Sequence, residues 1–266
     1  MMNYQIHRRK SFRGGWNPSQ LGADLALWLD AADSATVSIV SSAVSQWADK
    51  SGNGRHATQS NSSLRPSYSV NGLNGSGTLT FDGVDDRLNY AAGVLPFTIC
   101  AVAQTSTTAL NKTMAGAIKT SGTGAVDAFY LQGSNPARLA TFGLGTLADS
   151  SGLGDFFSTA GIFSASQPFI FLGRHDSSTV TTWLNGVQGT VDTTVSTLRG
   201  VGAGVIGAGY YNGSVTDFWP GSISEIIVCS TPQSDTTIRV LEGYLAHKWG
   251  LTSLLDLSHP YKSAPP

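Results

Sequence analysis

The sequence predicts an all-β fold in which two antiparallel sheets pack face to face, with one helix near the C-terminus. Composition is the first observation behind this prediction. The 266-residue chain has 31 glycines and only two glutamates, Glu225 and Glu242, so turn and strand formers outnumber strong helix formers. The second observation is a series of short apolar or alternating runs separated by Gly, Asn, Asp or Ser, a pattern typical of antiparallel sandwiches.

Seven segments have this strand pattern, and a chain of this size can form one large sandwich. They are LALWLD (25–30), VSQWAD (44–49), TLTFDG (78–83), FTICAVAQT (97–105), FIFLGRH (169–175), TTWLNGVQG (181–189) and SISEIIVCS (222–230). Within TTWLNGVQG, the pair Asn185-Gly186 separates two strand-like runs. Asn-Gly tolerates the two positive φ angles of a type I′ turn, which predicts a β-hairpin at this position.

One segment, at about 234–249, has the periodicity of a helix. Ser234 can cap its start and Gly250 can end it. Apolar residues recur near i, i+3, i+7 and i+11, which predicts one face packed against a sheet. This apolar stripe consists of Ile238, Leu241, Leu245 and Trp249. The proline-containing tail that follows, ending in HPYKSAPP, is expected to be an extended strap.

Composition and charge exclude several classes of function. Charged residues make up 12% of the chain and the net charge is -1, so neither nucleic acid nor an acidic membrane is an expected partner. No apolar run reaches the ~18 residues that could span a bilayer, and no signal peptide is expected. Cys100 and Cys229 lack the spacing of a zinc site, so both are expected to be buried free thiols of a protein made in a reducing cytosol.

The N-terminal residues differ in composition from the rest of the chain. Residues 1–21 are predicted to form a basic attachment arm, and residues 22–266 the folded domain. Guanidinium groups pair with carboxylates, and aromatic rings anchor interfaces, so the arm is expected to dock on an acidic, partly apolar protein surface. The predicted attachment residues are Arg8, Arg9, Lys10, Phe12, Arg13 and Trp16.

Few residues have the pattern of a catalytic or metal site. Glycosidases need two carboxyl groups that flank the scissile bond, but Glu225 and Glu242 have apolar neighbours, so no catalytic residue is predicted. The turn-rich loop with Asp82, Asp85 and Asp86 could hold calcium, which binds carboxylate and carbonyl oxygens. Asx-stabilised turns are the preferred interpretation because the spacing of possible ligands is irregular. No cofactor is therefore expected, with calcium as the alternative.

An ordered set of segments resembles a known family. They are LALWLDAAD, VSQWADKSGNGRHATQ, RPSY, LTFDGVDDRL, TTWLNGVQ, PGSISEIIV and EGYLAHKWGL, followed by HPYKSAPP. Over about residues 22–266, this set resembles the laminin-G-like, concanavalin A-like jelly-roll domains of bacteriophage structural proteins and some bacterial surface proteins. The resemblance implies two lectin-type sheets covered by the C-terminal helix, with Trp28, Trp47 and Trp183 in or near the core.

The resemblance also implies a choice of functions. The first expectation is a non-enzymatic virion accessory protein, a head decoration, head fibre or tail-associated protein, made in the host cytoplasm and attached to other virion proteins through its arm. The alternative is a carbohydrate-binding module for host adhesion. A polysaccharide depolymerase is disfavoured because glutamate is scarce, and a bacterial surface protein because no secretion signal is expected. A homo-oligomer is compatible with each of these functions.

Overall fold

Two antiparallel sheets pack face to face, and one α-helix covers the outer face of the first sheet. This computed structural model describes residues 15–91, 98–107, 112–119, 128–131, 141–143, 156–158, 164–176, 179–191, 193, 201–211 and 214–266. The predicted fold class is confirmed. Each of the seven predicted segments overlaps at least one strand, and β1 has the predicted bounds, Leu25–Asp30.

The remaining elements follow in chain order. The strands are β2 Val37–Val40, β3 Ala43–Trp47, β4 Ala57–Thr58, β5 Ser67–Leu73, β6 Ser76–Asp82, β7 Leu88–Tyr90, β8 Thr98–Thr105, β9 Lys112–Lys119, β10 Ala128–Leu131, β11 Thr141–Gly143, β12 Phe156–Ser158, β13 Pro168–His175, β14 Val180–Leu184, β15 Val187–Gln188, β16 Val201–Ile206, β17 Gly209–Tyr211, β18 Ser214–Thr216 and β19 Pro220–Cys229. The helix is α1, Asp235–Lys248, and short 3₁₀ helices lie at Pro18–Asp24, Ser34–Thr36, Ser62–Leu64 and Thr252–Leu254.

Strand β19 organises the first sheet, sheet A, whose order is β15-β14-β13-β8-β19-β6-β5. One edge of β19 pairs with β8. The other edge pairs with β6 over residues 220–223 and with β1 over residues 225–229, on either side of an irregularity in the strand. The second sheet, sheet B, has the order β12-β11-β10-β9-β16-β7-β4-β3-β2, and β17 and β18 form a separate pair.

The inner strands of sheet A are buried on both faces, whereas its edge strands β5 and β15 are mostly exposed. In β8, Ile99 and Ala101 belong to the core between the two sheets, whereas Cys100 and Val102 belong to a second core beneath α1. Because successive strand residues point to opposite faces, a strand with two buried faces is a continuous apolar run. Cys100 and Cys229 are both free and buried, as predicted.

The three tryptophans that the resemblance places in or near the core are buried. Trp47 lies between the sheets, and Trp183 lies beneath α1. Trp28 lies on the helix side of sheet A and is 8% exposed. None of these three rings is therefore available as an open platform for a sugar.

The predicted hairpin joins β14 and β15. Asn185 and Gly186 have φ values of 53° and 81°, which are the positive angles expected at the centre of a type I′ turn. The side-chain oxygen of Asn185 accepts a hydrogen bond of 2.9 Å from the backbone N–H of Ile170. This contact fixes the turn against β13.

Helix α1 begins and ends as predicted. The hydroxyl of Ser234 accepts a hydrogen bond of 3.1 Å from the backbone N–H of Thr237, and Gly250 has a φ of 67° just past the C-terminus. No helix in the described part of the chain is long and apolar enough to cross a membrane. Every residue of the apolar stripe is at most 1% exposed: Ile238, Leu241, Leu245 and Trp249.

The C-terminal tail differs from the extended strap that the sequence predicted. It contains the 3₁₀ helix Thr252–Leu254 and then a series of turns. The ammonium group of Lys262 donates hydrogen bonds to the carbonyl oxygens of Thr252, Ser253 and Leu255, at 2.9, 3.2 and 2.6 Å. These bonds satisfy carbonyl groups that have no strand partner, and they draw the tail into a loop.

Candidate functional site

Polar residues from four distant segments meet in a buried cluster beneath α1. Its centre is the fully buried carboxylate of Glu225, on β19. This carboxylate accepts hydrogen bonds from the indole N–H groups of Trp28 (2.7 Å) and Trp249 (2.6 Å) and from the hydroxyl of Tyr244 (2.9 Å). Lys248 forms a salt bridge of 2.8 Å with it. We call this group, together with Asp30 and Lys50, the Glu225 cluster.

The outer part of the cluster is ionic. Asp30 lies 2.7 Å from the ammonium group of Lys248 and 2.8 Å from that of Lys50. Lys50 also contacts Asp33 at 3.0 Å and lies 4.4 Å from the ring centroid of Trp28, a cation–π contact. The outer part of the cluster thus combines ion pairs with a cation–π contact.

Burial and the neighbouring ammonium groups act in opposite directions on the two carboxylates. Burial raises the pKa of Glu225, although Lys248 partly offsets this effect. Burial alone would also raise the pKa of Asp30, but Lys248 and Lys50 outweigh it, so that pKa is lowered. The carboxylates of Glu225 and Asp30 are each bound by several hydrogen-bond donors or ammonium groups, which is typical of a structural network.

The second glutamate is also enclosed. Glu242, on α1, is fully buried, and its carboxylate lies 2.9 Å from the guanidinium group of Arg239 and 3.1 Å from Nε2 of His259. Arg239 donates a further hydrogen bond of 2.7 Å to the carbonyl oxygen of Gly186. Glu242 and Arg239 together therefore link α1, the tail and the β14–β15 hairpin, and neither glutamate of the chain lies on an open surface.

The acidic loop after β6 has the hydrogen bonds of an Asx turn. One side-chain oxygen of Asp82 accepts from the backbone N–H groups of Val84, Asp85 and Asp86, at 2.8, 3.2 and 3.3 Å. In return, Asp86 accepts from the N–H of Asp82 at 2.9 Å. Burial, together with the negative charges of Asp82 and Asp85, raises the pKa of Asp86 to about 6.

A cation could be bound by the same loop, because oxygen atoms of Asp82, Asp85 and Asp86 lie within 4.8 Å of one another. A bound cation would offset the repulsion among the three carboxylates. The internal hydrogen bonds already account for the conformation of the loop. The metal-free turn and the calcium-bound loop therefore both stay predictions.

A polar groove lies between the N-terminal segment and the first two turns of α1. Its volume is about 230 Å³. The ring of Trp16 forms one wall and meets Tyr244 edge to face, with 5.6 Å between ring centroids. The backbone N–H of Trp16 donates to the carbonyl oxygen of Pro266 at 3.1 Å. The lining residues are Trp16, Gln20, Leu21, Asp24, Gln233, Thr236, Thr237 and Val240.

Of the six predicted attachment residues, the structure describes only Trp16. Residues 15–24 lie on the folded domain, where Asn17 caps the 3₁₀ helix Pro18–Asp24 by accepting from Ser19. The other five, Arg8, Arg9, Lys10, Phe12 and Arg13, lie outside the described residues. No motif in the sequence indicates the groove, because its two sides are more than 200 residues apart along the chain.

Comparison with known proteins supports the fold. No family model matches the sequence, and no curated protein matches it. Among solved structures, the chain is similar to domain 4 of a GH43 extracellular arabinanase from Geobacillus stearothermophilus in complex with arabinotriose. The TM-score is 0.60 at 12% identity, and the match covers 83% of this chain and 98% of that domain.

The chain is also similar to Trypanosoma rangeli sialidase in complex with the inhibitor DANA. That match has a TM-score of 0.51 at 15% identity and covers 82% of this chain but 32% of the sialidase. At these identities the similarities concern the fold alone. The predicted concanavalin A-like jelly-roll sandwich is confirmed, and the bacteriophage origin stays a prediction.

Proposed function

We propose that the chain is a non-enzymatic, carbohydrate-binding accessory protein of a bacteriophage virion. It attaches through its N-terminal arm and displays the sandwich domain. The observation that carries the carbohydrate-binding role is the similarity to the arabinanase domain in complex with arabinotriose. That match covers 98% of the arabinanase domain, so the likeness extends over a whole domain whose structure contains an oligosaccharide.

The positions of the two glutamates support a non-enzymatic role. A glycosidase acid must reach the glycosidic oxygen, and its partner must reach the sugar or a water on the other side. Glu225 is enclosed by two indoles, a tyrosine and a lysine, whereas Glu242 is enclosed by Arg239 and His259. Both glutamates are fully buried, so neither is placed to perform acid or base catalysis on a glycan.

The position of Trp16 supports attachment through the arm. Its contact with Pro266 brings the start of the described chain beside the C-terminus, on the α1 side of the sandwich. The basic residues of the arm lie just before this point in the sequence. An acidic virion surface could pair with these basic residues.

Carbohydrate binding can be tested with the full-length chain on an array of neutral and acidic oligosaccharides, followed by titration calorimetry on the best ligand. We expect binding without cleavage. A reducing-end assay on the same glycans separates this function from the alternatives. Release of reducing ends would indicate a depolymerase, and absence of binding to every glycan would contradict the carbohydrate-binding role.

Attachment can be tested by deleting residues 2–14, which leaves Trp16 and its contacts in place. We expect the shortened protein to keep the melting temperature of the full chain but to be missing from purified virions of the phage that encodes it. The combined substitutions Arg8→Ser, Arg9→Ser, Lys10→Ser and Arg13→Ser should have the same effect, because they remove the guanidinium and ammonium groups at constant chain length. Incorporation at the wild-type level by both variants would contradict the attachment role.

A further inference from the structure

We infer that the groove between residues 16–24 and the start of α1 is a binding site for a short neutral saccharide. This inference rests on the carbohydrate-binding role proposed above and adds its location and the charge of its ligand. Five of the eight lining residues are polar, and one is an aromatic ring beside them. A few placed polar groups around an aromatic side chain are the usual composition of a small-molecule site.

The polar side chains of the groove offer both donors and acceptors. Gln20 and Thr236 are exposed, and their side chains form no hydrogen bond with other described residues. Asp24 is half-buried, and one of its carboxylate oxygens accepts only a long contact of 3.3 Å from the amide of Gln233. Sugar hydroxyls both donate and accept, so they could pair with all of these groups.

Trp16 provides a fixed aromatic wall. Its ring is half-buried, and its edge-to-face contact with Tyr244 restricts its rotation. The hydroxyl of Tyr244 is in turn held by Glu225 at 2.9 Å, so the Glu225 cluster supports the wall from inside. A wall that is already in place costs less ordering entropy when a ligand binds. The C–H faces of a sugar ring can stack on such an indole.

The charge of the groove favours a neutral ligand. Among the described residues that line the groove, Asp24 is the one with a formal charge, and none is a lysine or an arginine. The guanidinium group of nearby Arg174 is already bound to Asp235 at 2.6 Å and to the carbonyl oxygen of Gln233 at 3.0 Å. An acidic sugar would therefore meet a carboxylate without a compensating cation, which disfavours its binding.

The size of the groove limits the ligand. Its volume of about 230 Å³ is below the ~300–1,000 Å³ of pockets that enclose drug-sized ligands. One or two sugar rings would fill it, with the rest of a longer glycan outside. We therefore expect recognition of a chain end or a short branch.

The test compares the full-length chain with variants that change the groove without touching the core. Thr236→Lys places a long side chain in the groove, and Gln20→Ala removes a hydrogen-bonding group. Thr58→Lys is the matched control, because Thr58 is an exposed threonine on sheet B. Binding is measured by calorimetry with the best neutral array ligand, or with arabinotriose if several neutral ligands are equal, and a sialylated trisaccharide serves as the acidic probe.

We expect Thr236→Lys to weaken binding of the neutral probe at least about tenfold and Gln20→Ala to weaken it several-fold, with unchanged melting temperatures and an unaffected Thr58→Lys control. If the wild-type chain binds glycans and both groove variants bind equally well, the site lies elsewhere and only this inference is wrong. Preference of the wild-type chain for the sialylated probe would also overturn it. If the wild-type chain binds no glycan, the carbohydrate-binding role fails together with the site.

Discussion

The ammonium group of Lys248 lies 2.8 Å from the carboxylate of Glu225 and, at the same time, 2.7 Å from that of Asp30. One cation at the end of α1 thus bridges two carboxylates, one from β19 and one from β1. Glu225 is fully buried, and 3% of Asp30 is exposed. Because isolated charges are costly to keep inside a protein, this bridge fixes the end of the helix on sheet A more specifically than apolar contact alone.

Replacing Lys248 with Met should therefore destabilise the fold strongly. Removal of one partner of a buried ion pair typically costs about 3–5 kcal/mol, because the remaining charge is left uncompensated. We expect a loss of this size in the free energy of unfolding measured by urea denaturation. The double variant Lys248→Met/Glu225→Gln should lose less than the sum of the two single variants, because the uncompensated carboxylate is gone. Additive losses would indicate that the two groups are not coupled.

The apolar stripe of α1 should contribute through packing. Leu241 and Leu245 are fully buried beneath the helix, and truncation of a buried leucine to alanine usually costs about 2–5 kcal/mol. We expect Leu241→Ala and Leu245→Ala each to lower the free energy of unfolding by this amount. Val240→Ala is the control, because Val240 is half-buried on the same helix and should cost less than either leucine.

Virion attachment gives an independent readout for these leucine variants. If α1 only covers sheet A, variants that still fold should attach to the particle at the wild-type level. Wild-type melting temperatures combined with loss of attachment would instead indicate that the helix is an interface.

Local pattern was sufficient to predict most elements of sheet A and α1. The strand LALWLD and the helix have the predicted positions because their apolar residues follow the periodicity of a single element. The Glu225 cluster could not be predicted in this way. Trp28 and Glu225 are 197 positions apart, and only the pairing of β1 with β19 brings them together. The groove depends in the same way on packing of residues 16–24 against α1.

The tail was predicted incorrectly for a related reason. Its prolines excluded regular helix and strand, and an extended strap was the remaining simple conformation. The conformation is set instead by Lys262, whose ammonium group binds three carbonyl oxygens of residues 252–255. No periodicity in the sequence indicates a lysine that caps its own chain.

Asp86 should make stability depend on pH. Its pKa is about 6 in the folded state and 3.8 without the fold, so the folded chain binds this proton more tightly. Its contribution to stability therefore increases as the pH falls from about 6 to about 4, and is lost as the pH rises through the same range. Asp86→Asn should raise the melting temperature at pH 7.5 and flatten this dependence, because the amide can still accept from Asp82.

Asp85→Asn is the control for this experiment, because Asp85 is more exposed and accepts none of the hydrogen bonds that shape the turn. It should leave most of the pH dependence in place. Calcium and EDTA should each change the melting temperature of the wild-type chain very little. A metal that binds the folded state would add stability in proportion to the logarithm of its concentration, so a large calcium-dependent shift would contradict the turn interpretation.

Gly243, in the interior of α1, is the site of the last prediction. In an ordinary helix, replacing glycine with alanine stabilises the fold by about 0.5–1 kcal/mol. Here an added Cβ atom would lie 2.5 Å from the Cβ of Tyr261 in the tail. Tyr261 cannot easily move away, because its carbonyl oxygen lies 2.8 Å from Nε2 of His247. Packing and helix propensity therefore predict opposite results for Gly243→Ala.

We expect packing to dominate, because overpacking a tight contact typically costs about 1–3 kcal/mol, more than the gain in propensity. Gly243→Ala should lower the free energy of unfolding and make the tail more susceptible to limited proteolysis. The decisive comparison uses Tyr261→Gly, which removes the Cβ atom that the new methyl group would meet. In that background Gly243→Ala should become stabilising, because only helix propensity remains. If Gly243→Ala also stabilises the fold in the wild-type background, the tail does not require a glycine at position 243.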